Sequence, residues 1–223
     1  MSTPQRTRKS PGERAAEIRA AAVALAREQG LAALTLRSVA ERAGVAPALV
    51  AHYRPSMDAL VAEVFGEVVG AELAEVRTAV TGTPGQRLAR LFATILGEGR
   101  DDVTLVWVEA WAHGRRNPAL SAAIDEQMGA WQAYVAEIIV DGCRSGDFTI
   151  PTPAQPAAGA SGGASGRVGP DSPDAVAWEL LAMIDGLAAH AMARGTDPAP
   201  FIARLARASE VLVGAEPGTV TAA

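Results

Sequence analysis

Apolar residues recur at helical spacing along almost the whole chain, and the period-two alternation of half-buried strands is nearly absent. The pattern predicts an all-α protein. Its first helix is expected over Gly12–Gln29, with Ile18, Ala22 and Leu25 on one face and Gly30 as the stop. Two short helices follow near Leu36–Ala43 and Ala46–Tyr53. A longer one begins after Ser56, a candidate N-cap, and carries Leu60, Val61, Val64, Phe65, Val68 and Leu73 in one stripe. Further on, a capping side chain followed at once by proline marks four helix starts, because the first helical residue has no intrahelical use for its N–H. These are Thr83-Pro84, where Gln86 completes a capping box, Asn117-Pro118, Ser172-Pro173 and Asp197-Pro198. They predict helices near 84–97, 118–142, 173–194 and 198–213. One more fits near 102–114, which makes nine.

Residues 151–173, PTPAQPAAGASGGASGRVGPDSP, interrupt the helical pattern. They hold no large apolar side chain and would bury too little surface to offset the entropy of ordering them. A disordered loop over 151–172, inside the second of two domains, is expected; a domain boundary there is the alternative, leaving a short and poor independent core beyond it. The expected division is a head over 1–55 with a basic arm at 1–11, a helical body over 56–214 and a flexible tail over 215–223.

Composition narrows the class. The 223 residues are 49% hydrophobic and 20% charged, enough for one large core or two coupled ones. No run approaches the roughly 18 consecutive apolar residues of a membrane span. The start, MSTPQRTRKS, lacks the apolar h-region of a signal peptide, so a cytoplasmic address and no membrane partner are expected. The single Cys143 excludes an intramolecular disulfide and a cysteine-based zinc site. His52, His113 and His190 are scattered, and there is no glycine-rich phosphate loop, so neither catalysis nor a metal or cofactor is expected. Charge is uneven. Residues 1–54 carry nine Lys or Arg against four acids, whereas the whole chain is at −5. A basic head on an acidic body suits a one-ended nucleic-acid binder.

The stretch LTLRSVAERAGVAPALVAHYRPSMDAL, residues 34–60, has the requirements of a helix-turn-helix. These are a small residue at the helix crossing (Ala40), a glycine where the chain turns with positive φ (Gly44) and an apolar lock (Val50), helped by Val39, Val45 and Leu49. Thr35 is placed to cap the first helix, whose free N–H groups can also receive a DNA phosphate. The second helix would enter the major groove with Ala46, Pro47 and Ala48 foremost, offering contact to thymine methyls and no bidentate hydrogen bond. Arg37 is the leading candidate for a guanine edge or a phosphate, while His52, Tyr53 and Arg54 suit phosphate anchoring. The arm Arg6–Lys9 fits the DNA backbone or minor groove, or an unstructured terminus.

From Arg14 to about Phe65, through REQG, LTLRSVAERAGV and PSMDAL, the sequence resembles the DNA-binding domain of the TetR (tetracycline repressor) family of bacterial regulators. The resemblance implies nine or ten helices, a homodimer on double-stranded operator DNA, and release when a small-molecule effector binds the larger domain. Three positions depart from that family's pattern: an aromatic is expected at Ala51, a phenylalanine at Arg54 and a lysine at Met57. The first and last usually hold phosphates, a role that Arg54 and His52 are here expected to take over in part.

In the body, Trp107 and Trp111, four apart, and Trp131 and Tyr134, three apart, pair on helix faces. With Met128 they are candidates to line a ligand cavity, or they simply pack the core. Glu109 and His113 share another face of the first of these helices. The segments WVEAWAHGRRNPAL, GDF and AMIDGLAAHAM resemble the betaine-repressor subgroup. That likeness implies dimerisation through the last two helices, and Trp178, Leu181, Ile184 and Leu187 on one and Phe201, Leu205 and Val211 or Leu212 on the other fit it. The competing reading is a constitutive DNA-binding protein with no effector.

Overall fold

The computed structural model describes residues 10–150 and 172–221. The arm Arg6–Lys9 and the expected loop up to residue 171 lie outside them. Among the described residues there are nine α-helices and no strand: α1 Pro11–Gln29, α2 Leu36–Ala43, α3 Pro47–Tyr53, α4 Met57–Ala79, α5 Pro84–Ile95, α6 Asp101–Gly114, α7 Pro118–Ser145, α8 Pro173–Arg194 and α9 Ala199–Val213. A single 3₁₀ turn, Leu31–Ala33, lies between α1 and α2.

The helix starts follow from their caps. Thr83 accepts the Gln86 N–H at 3.4 Å while the Gln86 side chain accepts from the Thr83 N–H at 3.1 Å. Asn117 accepts from Leu120 at 3.0 Å, and Ser172 from Ala175 at 3.2 Å. Each satisfies a donor that the first helical turn leaves free. The fourth proline behaves differently: Pro198 itself stands at the N-cap, and Asp197 accepts the Ala199 N–H at 2.8 Å, so α9 begins one residue later than expected. A capping box missed in the sequence, Ser10 with Glu13, starts α1 at Pro11. Gly30 ends it at a φ of 83°.

The described residues form two compact units. The first comprises those up to Gly70 together with Leu105–Asp125, and the second Ala71–Thr104 with those from Glu126 onward. In the first unit, Ile18, Ala22, Val39, Val50, Val64, Phe65 and Val106 are fully buried. In the second, Leu88, Leu91 and Phe92 of α5 are buried, as are Ile138 and Ile139 of α7 and Leu180 and Ile184 of α8. There α5 packs with both α8 and α9. Ile184 and Leu205, placed by their pattern on a dimer face, are only 1% and 2% exposed. Trp178, Phe201 and Val211 are 57%, 42% and 82% exposed. α8 is the one helix among the described residues long and apolar enough to cross a membrane, with a mean hydropathy of 1.3. Its apolar content is divided between the buried positions and the exposed Trp178.

The chain end departs from the flexible tail expected after 214. Glu210 on α9 is buried, and its Oε1 accepts the Gly218 and Val220 N–H groups at 2.8 and 3.0 Å. Val220 is 2% exposed. Gly85 at the start of α5 has no room for a side chain because the Thr219 carbonyl occupies it. A carboxylate with two backbone donors and an apolar side chain to bury is enough to order a short segment. Glu210→Ala is expected to lower the unfolding free energy by about 1–3 kcal/mol, with Glu210→Gln intermediate, in urea titrations at fixed protein concentration.

Candidate functional site

The head is built around a close crossing. Ala40 is 1% exposed and Val39 and Val50 are fully buried, so α2 and α3 meet through small and β-branched side chains. Gly44 turns the chain in the left-handed region, φ 64° and ψ 38°, while its N–H and that of Val45 bond back to the end of α2. Space is not the constraint at Gly44, since nothing lies within 4 Å of where a Cβ would stand; its backbone angle is. Thr35 caps α2 by a capping box with Ser38, 3.1 and 3.0 Å, and Ser38 Oγ also donates to the Ala33 carbonyl at 2.6 Å. The sequence hid this box because its partner is a serine in place of the usual Glu or Gln.

Ala46, Pro47 and Ala48, at the start of α3, are all exposed, as are Arg37, Ala51 and His52. His52 meets Tyr53 edge to face at 5.1 Å. Arg54 is committed elsewhere: its guanidinium donates to Glu63 of α4 at 2.6 Å, and its Nε is buried without a partner. Other head arginines are paired too. Arg14 binds Glu17, Arg19 reaches Glu67 at 3.4 Å, and Arg42 grips Glu28 through both terminal nitrogens. That grip holds the Glu28 carboxyl below the usual carboxylate range. Among the described residues Arg37 has no acidic partner. Among the described residues of the head, Arg14, Arg19, Arg42 and Arg54 are thus held in ion pairs, and Arg37 stands out from them.

The five aromatic and methionine candidates are distributed over both units. In the first, Trp107 meets Phe65 edge to face at 5.1 Å and lies 5.6 Å from Trp111. In the second, Trp131 and Tyr134 are 5% and 2% exposed, whereas Met128 is 37% exposed and on the surface. Trp131 Nε1 and the Tyr134 hydroxyl have no hydrogen-bond partner, and burial pushes the phenol up. The Arg77 guanidinium covers the Tyr134 ring at 4.5 Å while pairing with Glu137 at 3.3 Å. A cation thus already occupies that ring face.

Sequence reasoning missed a cavity of about 440 Å³ in the second unit. It lies between the α5–α6 and α8–α9 connections and is lined by Leu96, Arg100, Thr104, Met192 and Asp197 among others. Arg100 is drawn to Glu75 at 2.9 Å. No group of three His, Cys, Asp or Glu among the described residues could hold a metal ion.

These features define a class, an all-helical protein whose head is a helix-turn-helix with its second helix exposed. More particularly, residues 18–64 match the family model described as bacterial regulatory proteins, tetR family. That match runs from α1 through both helices of the motif into α4. Solved structures share the fold over most of the chain. A TetR transcription regulator from Haloarcula marismortui superposes with a TM-score of 0.68 at 19% identity, over 91% of this chain and 97% of its own. A protein from Saccharomonospora viridis, solved in complex with choline, gives 0.69 at 20% identity over 87% and 94%. The regulator FadR of Bacillus subtilis, in complex with stearoyl-CoA, gives 0.61 at 17% identity over 89% and 97%. No curated protein matches the sequence.

One titrating group stands apart from the head. Burial pushes the Asp185 carboxyl on α8 up to about 7. Between its ordinary value near 4 and that value, the folded chain holds a proton that the unfolded chain releases, so stability falls as pH rises through this window. Asp185→Asn is expected to flatten that decline and to melt above the parent at pH 8. Parallel pH profiles for the two proteins would rule out the assignment.

Proposed function

We propose that the chain is a ligand-releasable transcriptional repressor that binds a pseudo-palindromic operator as a homodimer in the cytoplasm. Residues 1–55 serve as the reading head and 56–214 as the regulatory and dimerisation part. The observation that carries this is the coincidence of the tetR-family match with a capped, locked helix-turn-helix whose α3 surface is open. Dimerisation is supported by the exposed Trp178, Phe201 and Val211 on α8 and α9, apolar surface that a second copy would bury.

In the bound state α3 lies in the major groove, with Ala46, Pro47 and Ala48 against thymine methyls. Thr35 and the start of α2 face a phosphate, and Arg37 supplies the main charged contact. His52 and Tyr53 anchor phosphates at the far end of α3. Arg54 exchanges Glu63 for a phosphate on binding, compensating in part for Ala51 and Met57.

For the effector, the choline complex of the S. viridis protein supports a quaternary-ammonium compound of the betaine class, near Trp107 and Trp111. The packing of Trp107 on Phe65 favours a second reading, in which these rings are core and DNA binding is constitutive. A thermal-shift series with betaine, choline and stearoyl-CoA separates the two, because a ligand of the native state raises the melting temperature.

A duplex selected from a random-sequence pool by the wild-type protein is expected to contain two half-sites about 34–36 Å apart. Binding to random DNA with equal affinity at physiological salt would sink the repressor reading. On the selected duplex, Arg37→Ala is expected to cost about 1–3 kcal/mol. Arg54→Ala should weaken all sequences alike and lower the salt slope by about one unit. An unchanged slope would remove Arg54 from the phosphate contacts.

A further inference from the structure

The turn between α1 and α2 is held by a residue 77 positions away: Glu109 Oε2 on α6 accepts the Ala32 N–H at 2.8 Å. The same carboxylate lies over Gly30, where a Cβ would overlap it and where the backbone has a φ of 83°. Glycine is thus required there twice, for its angle and for the close approach of Glu109. From Ala32 the connection to the reading head is short. The neighbouring Ala33 carbonyl takes the Ser38 Oγ–H at 2.6 Å, and Ser38 forms the capping box that starts α2.

Further contacts join the same part of the chain to the far side of the motif. Trp107 on α6 meets Phe65 of α4, and the buried Asn117, just beyond α6, donates to the Asp58 carbonyl at 3.1 Å. These hold α4. Glu109 alone among them reaches the segment that leads into α2.

We propose that Glu109 is a positioning residue for the reading head, fixing the turn Gly30–Ala33 and thereby the tilt of α2 and, through the Ala40 crossing, of α3. The inference rests on the reading of the head as DNA-binding. A displacement of α6 by about 1 Å carries the carboxylate out of hydrogen-bond range. The hold is therefore sensitive to the position of α6.

Glutamine has the same reach and keeps an accepting oxygen, aspartate keeps the charge but falls short by one methylene, and alanine loses both. Wild type, E109Q, E109D and E109A are compared by amide hydrogen exchange over residues 30–38 and by affinity for the duplex selected by the wild-type protein. E109A and E109D are expected to expose the Ala32 amide to faster exchange and to bind DNA about five- to tenfold more weakly. E109Q is expected to match wild type in both. Electrostatics alone predicts the opposite order, since E109A removes a negative charge that repels DNA. The role is overturned if E109A binds as tightly as wild type, if E109D equals E109Q, or if Ala32 exchange is the same in all four. Should E109A not fold, the E109D and E109Q pair decides. If the wild-type protein binds no duplex, the DNA-binding reading fails, and Ala32 exchange still tests the hold.

Discussion

Ala40 is 1% exposed where α2 crosses α3, with Val39 and Val50 fully buried beside it. A larger side chain at the crossing would force the helices apart and rotate α3, because packed interiors yield little to an added methylene. What α3 presents is set by this spacing before any polar contact is considered. The left-handed turn at Gly44 and the Thr35–Ser38 box serve the same end, one fixing where α2 stops and the other where it starts. Glu109 extends that chain of constraints to α6, a helix that begins only at Asp101, well beyond the motif.

The charge pattern gains a different meaning once partners are known. Arg19, Arg42 and Arg54 each face an acid on another helix, Glu67, Glu28 and Glu63, so their long side chains tie elements together, whereas Arg14 pairs with Glu17 inside α1. Exposed pairs of this kind contribute little to stability, typically below about 1 kcal/mol each. Their larger effect is on the local field, which among the described residues of the head leaves Arg37 as a cation with no acidic partner.

Much of the fold was legible because it is written in local signals. Proline after a capping residue marked the starts of α5, α7 and α8, and the spacing of Ala40, Gly44 and Val50 gave the motif with its helix bounds. What escaped depends on contacts between different elements, even between residues only eight to ten positions apart. Nothing near Glu63 announces that it neutralises Arg54, and nothing near Glu210 announces that it orders residues 218–220. The same holds for Met128, whose helical spacing with Trp131 is real but whose side chain is on the surface. Periodicity assigns a residue to a face, whereas exposure depends on what packs there.

The surface of α3 is made of methyl and methylene groups at Ala46, Pro47 and Ala48. On the proposed docking, such a surface recognises the C5 methyl of thymine by shape and exclusion of water, without reference to the pairing edge of the base. Cytosine methylated at C5 carries the same group at the same depth in the groove. A site read this way is sensitive to DNA modification: methylation can create a contact that the unmodified sequence lacks, and uracil in place of thymine removes one while leaving every hydrogen bond of the duplex intact.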